Sequence, residues 1–158
     1  MNTPINLSQI KKTAFIMSKA LGDSIIAMVI ANNLQKNGHH LTVFSNHLFA
    51  LKHWFIDFDI QPYPTGETGR QKLAAYDLLL HTYEESILYE AEQWHKNVVV
   101  LNHYPMYRRN NVHIVDVQVD VCKDLLGLTQ TTRSNGMKAP KDSAGQHHKQ
   151  QIINHPTA

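Results

Sequence analysis

The sequence predicts an α/β domain: a Rossmann-like parallel sheet with helices on both faces. Three observations carry this. First, residues 13–18 (Thr-Ala-Phe-Ile-Met-Ser) form a short apolar run. A glycine turn, an apolar helix over 24–37, a stop at Gly38 and a second apolar run at 40–45 follow, which is one βαβ unit. Second, the strand-like runs are continuously apolar rather than alternating, as strands covered on both faces are. Third, two more such runs follow at 76–81 and 97–102, the latter holding three consecutive valines.

The remaining elements follow in chain order. Residues 46–55 form a second, shorter helix candidate. Residues 59–64 suit an edge strand, because Pro62 and Pro64 would interrupt a central ladder. Residues 65–69, with two glycines, read as a loop. Residues 84–95 read as a helix with Ile87, Leu88, Ala91 and Trp94 on one face, and a further helix runs from about Asp116 to a stop at Gly127. Composition then changes. Residues 1–128 form the Rossmann-like domain, 129–150 is a polar, broken linker, and 151–158 opens like the first strand of a second domain.

The chain has 158 residues, 42% of them hydrophobic and 18% charged, enough apolar material for a packed core. Its formal charge of +2 gives no case for a nucleic-acid clamp. A single cysteine, Cys122, excludes an intramolecular disulfide and reads as a buried thiol; a cytoplasmic setting is expected. No apolar run reaches the roughly 18 residues of a membrane span.

Several groups could carry chemistry. Leu21-Gly22-Asp23 stands at the mouth of the first helix, beyond the carboxyl end of the first strand, where open α/β sheets place their ligands. Gly22 would permit a tight turn and close backbone approach. Asp23 would cap the helix, present a carboxylate to the crevice, or do both. The dinucleotide fingerprint fails, since the turn holds one glycine, and no phosphate-binding Walker sequence is present. Asp57-Phe58-Asp59 is a short acidic pair of the kind that can hold a divalent metal, but a solvated loop is the favoured reading. Eleven histidines show no metal-ligand spacing, so no metal is expected. His81 and His103 end predicted strands and are placed near the crevice. Arg108, in the aromatic and basic loop 104–109, could fork onto an anionic group.

The segment 12–23, the helix after it and the run 40–45 resemble the N-terminal domain of glycosyltransferase family 9, the heptosyltransferase group. The resemblance implies a GT-B fold: two Rossmann-like domains, the first binding the acceptor and the second the nucleotide-sugar. It implies Asp23 as the general base of an inverting transfer of a heptose-like sugar to a lipopolysaccharide or other surface-glycan hydroxyl. Gly22, Lys19 and Ser24 would then line the substrate; Lys19 stands where the family often carries an arginine. It implies no cofactor beyond the nucleotide-sugar as donor substrate. It also implies a glycan or glycolipid acceptor, a peripheral contact at the inner membrane, and negligible transfer by this chain without the second domain. The alternative is a non-catalytic glycan- or partner-binding module. A flavodoxin-like or nucleotide-binding regulator is a third, weaker reading.

Overall fold

The computed structural model of the chain describes residues 4–83 and 86–141. Five strands, β1 (Lys12–Ile16), β2 (His40–Phe44), β3 (Asp59–Gln61), β4 (Leu78–His81) and β5 (Val98–Val100), form one sheet in the order β3-β2-β1-β4-β5. Every pairing is parallel. The architecture is the α/β, Rossmann-like one that the continuous apolar runs predict. β3 lies at the sheet edge, where the chain can leave through Pro62 and Pro64 without a lost ladder bond.

Strand parity separates two cores. Phe15, Met17, Val43, Leu78, Leu80 and Val99 face α1 (Leu21–Lys36) and the last described helix, Ile114–Asp120. Ala14, Ile16, Phe44 and Leu79 face the opposite side, against Leu73, Ile87, Leu88 and Ala91. The middle of α1 is buried all round, from Ala27 to Leu34. A helix apolar on every side must be enclosed on every side. Here the sheet, the last helix and the segment after Leu128 enclose it.

Several elements differ from the sequence expectation. The second helix, α2, spans only Asn46–Ala50, with Ser45 Oγ accepting from the Leu48 amide at 3.2 Å, and a 3-10 turn (Lys52–Trp54) completes the segment. The expected loop at 65–69 is in fact the start of a nine-residue helix, α3 (Gly66–Ala74). Gly69 looks like a loop signal but is a packing requirement. A Cβ there would lie 2.9 Å from the Pro64 carbonyl carbon. The expected helix at 84–95 is a 3-10 turn (Ser86–Leu88) and a single-turn α4 (Ala91–Trp94), parted by Glu90 in the left-handed region at φ 59°. A non-glycine residue there ends helical propagation. The helix expected from Asp116, α5, begins at Ile114, with His113 Nδ1 accepting from the Val115 amide, and passes into a wider π-turn over Val121–Leu125.

The described part of the expected linker, residues 129–141, lies along α1. Asn33 donates to the Thr132 carbonyl at 2.8 Å and accepts from the Thr132 amide at 2.7 Å. Asn37 makes the same pair of bonds with Gln130, and Asn32 donates to the Ser134 carbonyl. Arg133 pairs with Asp116, and Lys138 with Asp57. Residues 142–150 of that segment, and the expected second-domain strand at 151–158, lie outside the described residues.

Candidate functional site

The turn from β1 into α1 is built by two serines. Ser18 Oγ accepts from the Ala20 amide at 3.0 Å, and the Ser24 hydroxyl lies 2.8 Å from the carbonyls of Ser18 and Ala20, to which it donates. These bonds fix where α1 starts. Its N-cap is Ala20, which offers no side-chain acceptor. Asp23 is therefore not the cap. It sits in the first turn of the helix and is exposed, where its charge favours the helix dipole.

Asp23 opens α1 beyond the carboxyl end of β1, the strand from which the order runs to β2 on one side and to β4 on the other. Its carboxylate acts on Tyr83, whose phenol is raised above the ordinary range first by burial and then by this charge. Tyr107 is raised too, by burial, by Tyr83 and, least, by Asp23. The two tyrosine rings meet edge to face at 6.3 Å. A carboxylate beside two neutral phenols at a sheet's carboxyl edge can accept a proton from a bound hydroxyl.

On the other side of the same turn lies a cleft of about 500 Å³. The loop after β1 supplies Ser18 and Lys19, and the loop after β2 supplies Asn46 and His47. The loop after β3 and the start of α3 add Tyr63, Glu67 and Arg70, and Ile87 completes the wall. The loops are tied to one another. His47 Nε2 meets the Lys19 carbonyl at 2.9 Å, and Asn46 Oδ1 accepts from the Tyr63 amide at 2.8 Å. Lys19 Nζ stands 5.3 Å from the Tyr63 ring centroid, and the Arg70 guanidinium 5.4 Å from that of Trp94. Thr65 makes no side-chain cap to α3, so the first amides of that helix remain available to a ligand. Two cations against the one carboxylate of Glu67, the Tyr63 ring and uncapped helix amides suit an anionic, partly apolar guest.

The expected site residues thus divide. Lys19 lines the cleft. Gly22 and Asp23 stand exposed at the helix mouth. Gly22 is helical, and a Cβ there would meet nothing within 4 Å, so no tight turn demands glycine. Ser24 is not a ligand contact: it is fully buried, and its hydroxyl is spent on the turn. His81 is also withdrawn. Strand parity turns it into the core beside Ile16 and Leu79, where it is 0% exposed and neither ring nitrogen has a partner. Burial drops its pKa to about 3, so it is neutral at physiological pH. His103 ends the 3-10 turn after β5 and is exposed, as is Arg108, but neither lines the cleft. Arg109, its neighbour, is committed to Asp120 at 2.5 Å and to the Met106 carbonyl. Asp57 holds Lys138, and Asp59 accepts from Thr42 and Gln61. Among the described residues no group of three or more His, Cys, Asp or Glu could hold a metal ion.

The sequence reading missed Arg70, Glu67, Tyr63 and His47. Arg70 and Glu67 were hidden by the glycines around them. His47 carried one usable signal, since it follows a predicted strand as Lys19 does, whereas Tyr63 lay inside the predicted edge strand 59–64. Among the described residues no helix is long and apolar enough to cross a membrane. No family model, curated protein or solved structure matches the chain.

Proposed function

We propose that this chain is the acceptor-binding half of an inverting, family 9-like glycosyltransferase, with Asp23 as general base. The observation that carries the reading is the exposed Asp23 carboxylate in the first turn of α1, beyond the carboxyl end of β1. The cleft on the other side of the same turn, which Lys19 and Arg70 line and Asp23 does not, supports an anionic glycan or glycolipid acceptor.

The chemistry follows from need. An acceptor hydroxyl attacks the anomeric carbon of a nucleotide-sugar, the carbon–oxygen bond to the diphosphate breaks, and configuration inverts. Asp23 takes the hydroxyl proton as the new bond forms, a contribution of roughly a hundred- to ten-thousand-fold. The departing diphosphate keeps the electron pair and is met by a donor-binding domain opposite the cleft. The scheme asks nothing of Asp57 or Asp59.

The test has two parts. A phosphorylated or carboxylated oligosaccharide titrated into the chain should shift the amide resonances of Lys19, His47 and Arg70; no shift there refutes the acceptor role. In an enzyme that also contains the donor domain, Asp23→Asn should remove transfer while leaving that binding intact. Unchanged transfer by Asp23→Asn returns the chain to the glycan- or partner-binding module.

A further inference from the structure

The opposite end of the sheet carries a second cavity, of about 800 Å³, lined by Lys11, Lys12, His40, Thr42, Asp59, Lys72 and Tyr76 among others. Its origin is a shortfall of cover. α3 ends at Ala74 and so protects only the upper part of its sheet face, over Phe44, Ile16 and Leu79. Register continues that face downward. Lys12 pairs with His40, Ala14 with Thr42, and Thr42 with Asp59, so Lys12, His40, Thr42 and Asp59 line one side of the sheet below the helix end. These residues are polar where the rows above them are apolar.

The charge of this groove is lopsided. Lys11 and Lys12 come from the start of β1, and Lys72 from the last turn of α3, its Nζ 5.3 Å from the Phe44 ring centroid. Among the described residues none of the three is ion-paired. Two carboxylates lie at hand against the three lysines, and one of them, Asp59, is part of the groove's own lining. Asp59 accepts from Thr42 Oγ1 at 2.9 Å and from Gln61 Nε2 at 2.7 Å. Asp77 accepts from the amides of Lys11 and Lys12 at 2.8 Å each. Lys72 at a helix C-terminus has a local electrostatic reason to be there. Lys11 and Lys12 stand beside Asp77, whose carboxyl is held below the usual range first by their backbone amides and then by their charges.

We infer that this groove at the amino ends of β1, β2 and β3 binds a phosphate-bearing anion. Convergent lysines can neutralise a dianion, and the His40 ring adds a hydrogen-bonding group beside them. The site lies across the sheet's length from Asp23 and from the cleft that Lys19 lines, and it does not depend on the proposed transferase reading.

Inorganic phosphate, titrated into the full chain against chloride at matched ionic strength, tests this by amide NMR. Shifts confined to Lys12, Leu41, Lys72 and Tyr76 are expected. The double substitution Lys11→Gln with Lys72→Gln, and separately Lys72→Glu, should weaken binding at least tenfold while the rest of the spectrum shows the native fold. Vesicles of phosphatidylglycerol and of phosphatidylcholine give the second arm. Sedimentation with the anionic vesicles alone, reversed by phosphate, identifies a lipid headgroup as the source. Phosphate binding without sedimentation identifies a free phosphate compound. Absent shifts, equal shifts with chloride, or binding unaltered in both lysine variants overturn the inference.

Discussion

Lowering the pH from 7 to 5 should destabilise this protein, and His81 carries a separable share of that loss. The imidazole is fully buried, at the end of β4, with neither nitrogen hydrogen-bonded. Burial alone lowers its pKa from 6.5 to about 3. The unfolded chain therefore takes a proton near pH 6.5 that the folded chain refuses until about pH 3. Stability is full above the unfolded value and falls with pH across that window, at up to ~1.4 kcal/mol per unit. Between pH 7 and pH 5 the loss attributable to His81 is about 2 kcal/mol. Urea unfolding of wild type and His81→Leu at both pH values isolates it, because the other histidines contribute equally to both proteins. The variant should lack this component, and it should not lose stability at pH 7, since it removes an unpartnered buried polar group. Identical pH dependence in the two proteins, or a native His81 ring resonance that titrates near 6.5, refutes the reasoning.

Four further outcomes are expected. Asp23→Asn should lower the Tyr83 phenol toward its ordinary range by removing the nearby charge, read by ultraviolet titration; an unmoved curve would separate the two side chains. Gly22→Ala should leave the fold intact and raise stability by ~0.5–1 kcal/mol through helix propensity, measured by thermal melting; a loss would show that the space above it is occupied. Asn33→Ala removes both bonds to Thr132 from a fully buried position and should cost about 2–3 kcal/mol, with faster hydrogen exchange at the Thr132 amide. Burial pushes the Cys122 thiol up to about 12, so it should resist alkylation at pH 8 in the native protein and react at once in urea.

The part of the fold most legible in the sequence was the part governed by local signals. The unit from β1 through α1 to β2 has an uninterrupted apolar run, an apolar helix, a glycine stop and a second run, and the prolines of 62 and 64 pushed β3 to the edge. What escaped was tertiary. Gly69 is required by Pro64, a neighbour across a turn, and nothing in the pentapeptide 65–69 says so. Glu90 in the left-handed region breaks a segment whose composition suits a helix. The candidate site divided in the same way. Asp23 does stand exposed in the first helical turn after the first strand, which fixes its position and not its role, whereas the exposure expected of His81 failed because a strand-end histidine points into or out of a core by a parity of one residue. Arg70 joined the cleft only once α3 existed.

The two asparagines of α1 and the Asn37 that caps it set a length standard for the chain that crosses it. Asn33 and Asn37 are one helical turn apart, a rise of about 6 Å, and they engage Thr132 and Gln130, two extended residues apart, a span of about 6.6 Å. A ruler graduated in fours is thus matched to a tape graduated in twos. Adding or deleting a single residue between 130 and 132 throws the marks out of step, while a change outside them leaves the match untouched. The described segment is thereby carried from Leu128 to the neighbourhood of Trp54 and Asp57, where Lys138 is fastened.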